Sequence, residues 1–220
     1  TRFFETDDLV AAARNGDLDS LKKILGKNNI DINGIDREGW SALFWSVCNG
    51  QYEAVQLLLN FGADINLSDQ RGRTPFFVAA FKGYLNIVQL FLKKYDCLTN
   101  SNHFEPNFFN TRDHDDWTPL SGAAYNGHLR VVKFLVESKA DINLPDKDGW
   151  TPLCWAVCNG HLQVVKFLLE LGASNYYTPL GLGASVSSVT KTNAIPDTPL
   201  SWAKNNGHFD IIKCLEEHQK

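Results

Sequence analysis

The chain repeats one short pattern five times, and this repetition constrains the fold more than any single residue does. Each copy opens with Ser-Ala-Leu, Thr-Pro-Phe or Thr-Pro-Leu and reaches a glycine nine residues later. With an atypical first unit, the aligned glycines lie 34, 33, 44, 33 and 47 residues apart: Gly16, Gly50, Gly83, Gly127, Gly160 and Gly207. Self-similarity at this period indicates a solenoid, in which each unit buries its apolar face against its neighbours. We therefore expect binding rather than catalysis.

Each unit has the signals of a helical hairpin. Thr or Ser stands where a helix N-cap belongs, and Pro follows at the first helical position in four of the five copies. The glycine closes this first helix, because it can take a positive φ. The second helix repeats apolar residues at helical intervals, as Val164, Phe167 and Leu168 show.

The fifth unit carries a family resemblance. Residues 151–161 read TPLCWAVCNGH and residues 164–169 read VVKFLL, and this unit resembles an ankyrin repeat. The resemblance implies an all-α ankyrin-repeat solenoid of stacked helix-turn-helix units with projecting β-hairpin fingers. We expect a single domain over residues 1–220, with insertions near 96–106 and 177–193. The six predicted units cover approximately residues 5–35, 36–68, 69–112, 113–145, 146–196 and 197–220.

Composition excludes several classes of function. The chain has 44% hydrophobic and 21% charged residues, which is typical of a globular protein, and its net charge of −4 gives no basic surface for nucleic acid. No apolar run is long enough for membrane insertion, and no signal-peptide core is visible at the start. Five cysteines without framework spacing favour the cytoplasm or the nucleus. No metal set or catalytic arrangement is visible, so we expect neither an enzyme nor a cofactor, and no small-molecule substrate.

The resemblance also indicates where a partner protein would bind. In ankyrin proteins the variable positions lie at the finger tips and on the adjoining concave surface of the first helices. Trp is enriched at interface hot spots, and three of the four fingers carry one just before the Thr or Ser. The structural alternative is that these indoles only cover a neighbouring finger. The predicted partner-binding residues are Trp40, Arg71, Arg73, Phe81, Lys82, Asp115, Trp117, Tyr125 and Trp150.

Three further groups of residues lead to specific expectations. A second tryptophan row, Trp45, Trp155 and Trp202, occupies a position that the family keeps for core packing. Asp116 replaces the glycine of the other fingers, so its turn is expected to be distorted. Three histidines follow the turn glycines, and the resemblance implies that they hydrogen-bond between units: His128, His161 and His208.

Four finger asparagines recur at one position, Asn33, Asn66, Asn110 and Asn143. Some family members present this residue to an asparaginyl hydroxylase, and Ala-Asp-Ile-Asn at Asn66 and Asn143 comes closest to that context. The alternative is an asparagine that only forms a turn.

The function that these patterns favour is a protein-binding scaffold or adaptor. Two alternatives stay open at this point. The chain is the ankyrin region of a larger regulatory, channel or enzyme protein and makes intramolecular contacts, or it is a pathogen effector that captures host proteins. The fold permits each of them.

Overall fold

The computed structural model describes residues 2–27, 29–99, 108–173 and 198–218. Within these ranges the chain forms twelve α-helices in six consecutive pairs, with a short 3₁₀ helix at Phe108–Asn110. The pairs are Arg2–Asn15 (α1) and Leu18–Leu25 (α2), Ala42–Cys48 (α3) and Tyr52–Asn60 (α4), Pro75–Lys82 (α5) and Leu85–Thr99 (α6), Pro119–Tyr125 (α7) and Leu129–Glu137 (α8), Pro152–Cys158 (α9) and Leu162–Glu170 (α10), and Pro199–Asn205 (α11) and Phe209–Glu217 (α12).

The helices form two layers. Each odd-numbered helix packs beside the next odd-numbered one, from α1 through α11, and the even-numbered helices pack beside one another in the same order. Buried apolar side chains of both layers form one continuous core from Leu9 to Leu215. This arrangement confirms the predicted all-α solenoid, because each unit contributes one helix to each layer and completes its core with its neighbours.

The start and end signals of the odd-numbered helices act as predicted. Thr74 Oγ1 accepts a hydrogen bond from the Phe77 N–H at 3.1 Å, and Ser or Thr caps α3, α7, α9 and α11 in the same way. Proline follows at the first helical position in α5, α7, α9 and α11. The turn glycines have positive φ, for example 73° at Gly127, which lets the chain reverse into the second helix.

The predicted histidine bridges between units are confirmed. His128 Nε2 lies 3.1 Å from the Phe81 carbonyl oxygen, and His161 Nε2 lies 2.8 Å from that of Tyr125. His208 makes the same contact with Cys158 at 3.1 Å. Since a carbonyl oxygen only accepts, each Nε2 donates. Each bond joins a unit to the C-terminal end of the odd-numbered helix of the preceding unit; we call the odd-numbered helices inner and the even-numbered helices outer.

The fingers between units are hydrogen-bonded turns rather than laddered strands. Within the described ranges the only β-type pairing is one isolated antiparallel bridge between Ile35 and Ser41. An aspartate side chain takes the N–H groups that a ladder would use, as described below. Helix α6 continues to Thr99, inside the first predicted insertion. The rest of that insertion, up to its last residue at 106, and all of the insertion at 177–193 lie outside the described residues.

Candidate functional site

One aspartate closes each finger and fixes the position of the residue four places later. We number each finger by the unit that it begins, so the four fingers are the second to the fifth. In the fourth finger, Asp113 Oδ1 accepts hydrogen bonds from the N–H groups of Asp115 and Trp117, both at 2.9 Å. The Asp113 N–H donates to the Trp117 carbonyl at 3.1 Å and completes the loop. The equivalent aspartates are Asp36, Asp69 and Asp146. This loop places a predicted binding residue directly before the N-caps of α3, α5, α7 and α9: Trp40, Arg73, Trp117 and Trp150.

Six aromatic side chains from the third to the sixth unit lie in one row, which we call the aromatic stripe. Its members, in order, are Phe81, Tyr125, Trp117, Trp155, Trp150 and Trp202. Successive ring centroids are 6.1, 5.3, 4.5, 4.5 and 4.9 Å apart. All six side chains are half-buried. The stripe therefore crosses three unit boundaries without a gap and keeps part of every ring at the surface.

Trp155 is the centre of the stripe. Its ring also contacts Tyr125 at 5.4 Å, and its indole N–H donates to Asp146 Oδ2 at 2.9 Å. Asp146 is only 1% exposed. Burial raises the pKa of the Asp146 carboxyl, although hydrogen bonds from the Trp150 N–H and the Trp155 indole act in the opposite direction. The hydrogen bond holds the Trp155 ring in place before any partner arrives.

The second unit carries the same tryptophan pair with a different neighbour. Trp40 and Trp45 lie 4.4 Å apart, and the Trp45 indole N–H donates to Asp36 Oδ2 at 2.7 Å. The Arg14 guanidinium carbon lies 3.9 Å from the centroid of the Trp45 ring, and its Nη2 lies 3.2 Å from Asp36 Oδ2. Partial burial alone would raise the pKa of Asp36, but hydrogen bonds from Trp40 and Trp45, together with Arg14, lower it.

The third unit interrupts the tryptophan pattern. Arg73 replaces the finger tryptophan and donates hydrogen bonds to Asp69 Oδ2 from Nε at 2.8 Å and from Nη2 at 2.6 Å. At the helix position where the second and fifth units have Trp45 and Trp155, the third unit has Val78, which is buried. Trp40 and Trp45 are therefore separated from the tryptophans of the aromatic stripe by one unit that has neither tryptophan.

The charged residues predicted to surround the site lie on or next to the fingers. Arg71, Lys82 and Asp115 are exposed. Backbone hydrogen bonds join adjacent fingers at two of them, since the His114 N–H donates to the Arg71 carbonyl at 2.8 Å and the Lys147 N–H donates to the Asp115 carbonyl at 3.1 Å. The backbone of Asp115 therefore joins the two fingers that carry Trp117 and Trp150.

The predicted core placement of Trp45, Trp155 and Trp202 holds only in part, since Trp45 and Trp202 pack against the core but none of the three is fully buried. All three are half-buried, and Trp155 and Trp202 belong to the aromatic stripe. One physical reason is the indole N–H, which in Trp45 and Trp155 needs an acceptor and finds it in the finger aspartate before the helix, outside the apolar core. The sequence does contain a signal for this contact, because an aspartate stands nine residues before each of these two tryptophans.

The expected distortion at Asp116 is wrong. The Asp116 N–H donates to the Asp113 carbonyl at 3.0 Å, and the Gly149 N–H makes the equivalent bond to Asp146 at 3.0 Å. Asp116 has φ of 62° and thus adopts the left-handed conformation that glycine takes elsewhere. Aspartate tolerates this conformation better than most residues, so the turn keeps its shape and stores strain instead.

The finger asparagines divide into two kinds. The side chains of Asn33 and Asn110 link fingers; Asn33 Oδ1, for example, accepts from the Asp64 N–H at 2.9 Å. Asn66 and Asn143 are exposed, and the N–H of each is bound by the aspartate two residues earlier at 2.9 Å. Hydroxylation at Asn66 and Asn143 stays a prediction.

Other kinds of site find little support among the described residues. No helix in these ranges has both the length and the apolar character needed to cross a membrane. The same ranges contain no group of three or more His, Cys, Asp or Glu side chains placed to hold a metal ion. A cleft of about 560 Å³ is lined by Asn66, Tyr95, Thr111, Arg112 and other residues, none of which belongs to the aromatic stripe.

Comparison with known proteins gives the family. A family model described as ankyrin repeats matches residues 9–103 and 98–178. The ankyrin repeat protein YahD of Escherichia coli is 31% identical over 137 residues, which are 62% of this chain and 62% of YahD. The tyrosine-protein kinase HTK16 of Hydra vulgaris is 32% identical over 116 residues, 53% of this chain but only 14% of the kinase.

A solved structure agrees with these sequence matches. The crystal structure of an ankyrin repeat domain from Acinetobacter baumannii has a TM-score of 0.75 at 26% identity, covering 96% of this chain and 97% of that one. The sequence matches and the structural match thus both lead to ankyrin repeat proteins. They agree with the helix pairs, the capped inner helices and the histidine bridges described above. The chain belongs to the ankyrin repeat family.

Proposed function

We propose that this chain is a non-enzymatic scaffold or adaptor that binds a partner protein through the aromatic stripe and the adjoining fingers. Ankyrin repeats are protein–protein interaction modules, and the stripe is the observation that directs the proposal to one surface. Phe81, Tyr125, Trp117 and Trp150 were predicted from the sequence, and Trp155 and Trp202 join them in the structure.

The physical case rests on the order of these rings. Trp and Tyr bring a large contact area with few rotatable bonds, so little conformational entropy is lost when they bind. Contacts between the rings and the Asp146 hydrogen bond to Trp155 fix their orientation in advance. A contiguous row of partly accessible aromatic side chains is a common feature of interfaces, and one central aromatic can contribute about 2 kcal/mol or more.

The charges around the stripe make a protein the best partner class. Exposed Arg71 and Lys82 belong to the third unit, where the stripe begins, and exposed Asp115 belongs to the fourth, so the neighbouring charges are mixed in sign. A nucleic acid would need a continuous basic surface. We also propose a reducing compartment, the cytoplasm or nucleus, because the described cysteines are all free thiols: Cys48, Cys154, Cys158 and Cys214.

A second candidate follows from the match to the Hydra kinase. The matched region there is 14% of the protein, so similar repeats occur inside a much longer chain. In such a setting the aromatic stripe would hold another segment of the same polypeptide. The chemistry of the surface is the same in both cases, and only the source of the bound segment differs.

Affinity capture with matched variants tests the proposal. We expect the double variant Trp117→Ala/Trp150→Ala to lose partners that the wild-type chain retains, because it removes two neighbouring finger rings of the stripe. Phe61→Ala is the control, since Phe61 is 49% exposed and lies outside the stripe at the end of α4. Circular dichroism must first show that all variants are equally folded. Partners kept by the double variant and lost by Phe61→Ala would move the binding surface to the outer helices.

A further inference from the structure

The second and fifth units contain the same hydrogen-bonded pair of tryptophan and aspartate, and only one of the two pairs has a cation within the described residues. In the second unit, Arg14 covers the Trp45 ring at 3.9 Å and reaches Asp36 Oδ2 at 3.2 Å. This contact combines a guanidinium on an aromatic face with an ion pair. The chain therefore shows how its own finger surface binds an arginine.

The fifth unit lacks that arginine because its neighbour differs. Arg14 stands two residues before the turn glycine Gly16, and the residue two before Gly127 in the fourth unit is Tyr125. Tyr125 packs against Trp155 at 5.4 Å and adds a ring where Arg14 brings a charge. Within the described part of the chain, Asp146 has no ion-pair partner.

The third unit also neutralises its finger aspartate internally, through the two contacts from Arg73 to Asp69. The fourth and fifth fingers keep an excess of negative charge. Segments 112–117 and 146–150 carry five carboxylates against two cations, Arg112 and Lys147. Of these, Arg112 lies 3.7 Å from Asp116. A net negative charge thus accompanies the tryptophan-rich part of the aromatic stripe.

We infer that the stripe between Trp117 and Trp150 receives an arginine side chain of the partner protein, presented on an extended segment. This inference rests on the proposed function and specifies the chemistry of the bound segment. In this proposal the guanidinium packs on the part of the half-buried tryptophan side chains that stays accessible, and Asp115, an exposed carboxylate of the fourth unit's finger, pairs with it. Asp146 is too buried to touch the ligand and acts through its charge.

Arginine fits this surface better than lysine does. Its planar guanidinium stacks on aromatic rings and pairs with carboxylates through two parallel hydrogen bonds, whereas the lysine ammonium is a compact and strongly hydrated charge. A cation over a tryptophan is attracted by the negative face of the ring, and nearby carboxylates add to this attraction. The unit that already contains such a contact uses arginine, which agrees with this choice.

Nuclear magnetic resonance of the six indole N–H groups tests the inference with a defined probe. N-acetyl-arginine amide is titrated into protein labelled at tryptophan nitrogen, with N-acetyl-citrulline amide as the neutral compound of the same shape. We expect the arginine compound to shift the signals of Trp117, Trp150 and Trp155 with an affinity roughly tenfold above that of citrulline. The Trp45 signal should not respond, because Arg14 already covers that ring.

Two variants make the result specific. Asp115→Asn should weaken the response of the stripe, and Arg14→Ala should make Trp45 respond to the arginine compound. Equal shifts from arginine and citrulline, or equal responses from Trp45 and the stripe in the wild-type protein, would overturn the inference.

A peptide library separates this inference from the proposed function. Immobilised extended peptides are screened with wild-type protein and with Trp150→Ala, and arginine is expected at one position of those peptides that need Trp150. Binding that depends on Trp150 but shows no preference for arginine would refute the inference that the partner presents an arginine side chain, and would leave the protein-binding proposal in place. Binding that is unaffected by Trp150→Ala would contradict both.

Discussion

The contact between each turn glycine and the next unit's histidine yields a sharp stability prediction. Gly127 has φ of 73°, and a Cβ placed there would collide with the His161 ring, which donates its hydrogen bond to the Tyr125 carbonyl at 2.8 Å. Gly207 is the same position in the sixth unit, with φ of 71°, and a Cβ there would meet no described heavy atom within 4 Å. Gly127→Ala and Gly207→Ala therefore share the backbone strain, and only the first meets the next unit.

The magnitudes follow from these two contributions. A left-handed alanine costs about 1–2 kcal/mol, partly offset because alanine lowers the entropy of the unfolded chain. We expect Gly207→Ala to cost about 1 kcal/mol. Gly127→Ala adds the displaced ring and a lost hydrogen bond of about 1 kcal/mol, so we expect a total loss of about 2–4 kcal/mol. In a stack of units this loss falls on the interface between the fourth and fifth units.

Urea unfolding followed by far-UV circular dichroism measures both variants. Because the described residues place a neighbour on only one side of the sixth unit, a double-mutant cycle with His161→Ala completes the comparison. If the ring causes the loss, Gly127→Ala should cost much less in the His161→Ala background than in wild type. Equal losses from Gly127→Ala and Gly207→Ala, with additive behaviour in the cycle, would refute the reasoning.

Three further predictions concern single groups. Asp116→Gly should raise the free energy of unfolding by about 0.5–1 kcal/mol, because it releases the strain at φ of 62°; unchanged stability in urea would contradict this. Burial lowers the pKa of His128 below its usual value of 6.5, so the neutral ring stabilises the fold above that pH and this stabilisation is lost as the pH falls further. His128→Gln should flatten the decline in urea midpoint between neutral and acidic pH. Trp155→Phe should cost about 1–3 kcal/mol in urea, because it leaves Asp146 Oδ2 buried without its donor at 2.9 Å, and a neutral result would exclude a structural role for that bond.

Much of the fold could be predicted because the same local signals recur in every unit. Thr118 and Pro119 mark a helix start, Gly127 marks its end, and both act through backbone groups of their own unit. Such signals need no knowledge of distant contacts. The repeat period shows that consecutive units stack on each other, so the layering of the helices can be predicted from the sequence alone. Asp116 shows the limit, since a missing glycine predicts strain but not whether the turn yields to it.

The candidate site was only half predictable for a related reason. Trp117 and Trp150 could be placed from their position before the helix cap. Trp155 could not, because its apolar bulk favoured the core while its indole N–H found an acceptor nine residues earlier. A hydrophobicity pattern counts tryptophan simply as an apolar residue. Its ring does favour burial, but its indole N–H needs a hydrogen-bond acceptor. The aspartate nine residues upstream is the signal that directs the Trp155 indole N–H towards the finger.

The asymmetry of this surface follows from how a repeat protein distributes its stability. Each unit depends on its neighbours through buried helix faces and bridges such as His161 to Tyr125, so finger residues can diverge with little effect on the core. The early units use this freedom to neutralise finger aspartates, since Arg14 of the first unit pairs with Asp36 of the second, and Arg73 pairs with Asp69 of its own unit. The later units place rings there instead and keep a net negative charge. Such a surface gains more from a bound cation than the earlier fingers do, because within the described residues no cation pairs with Asp146.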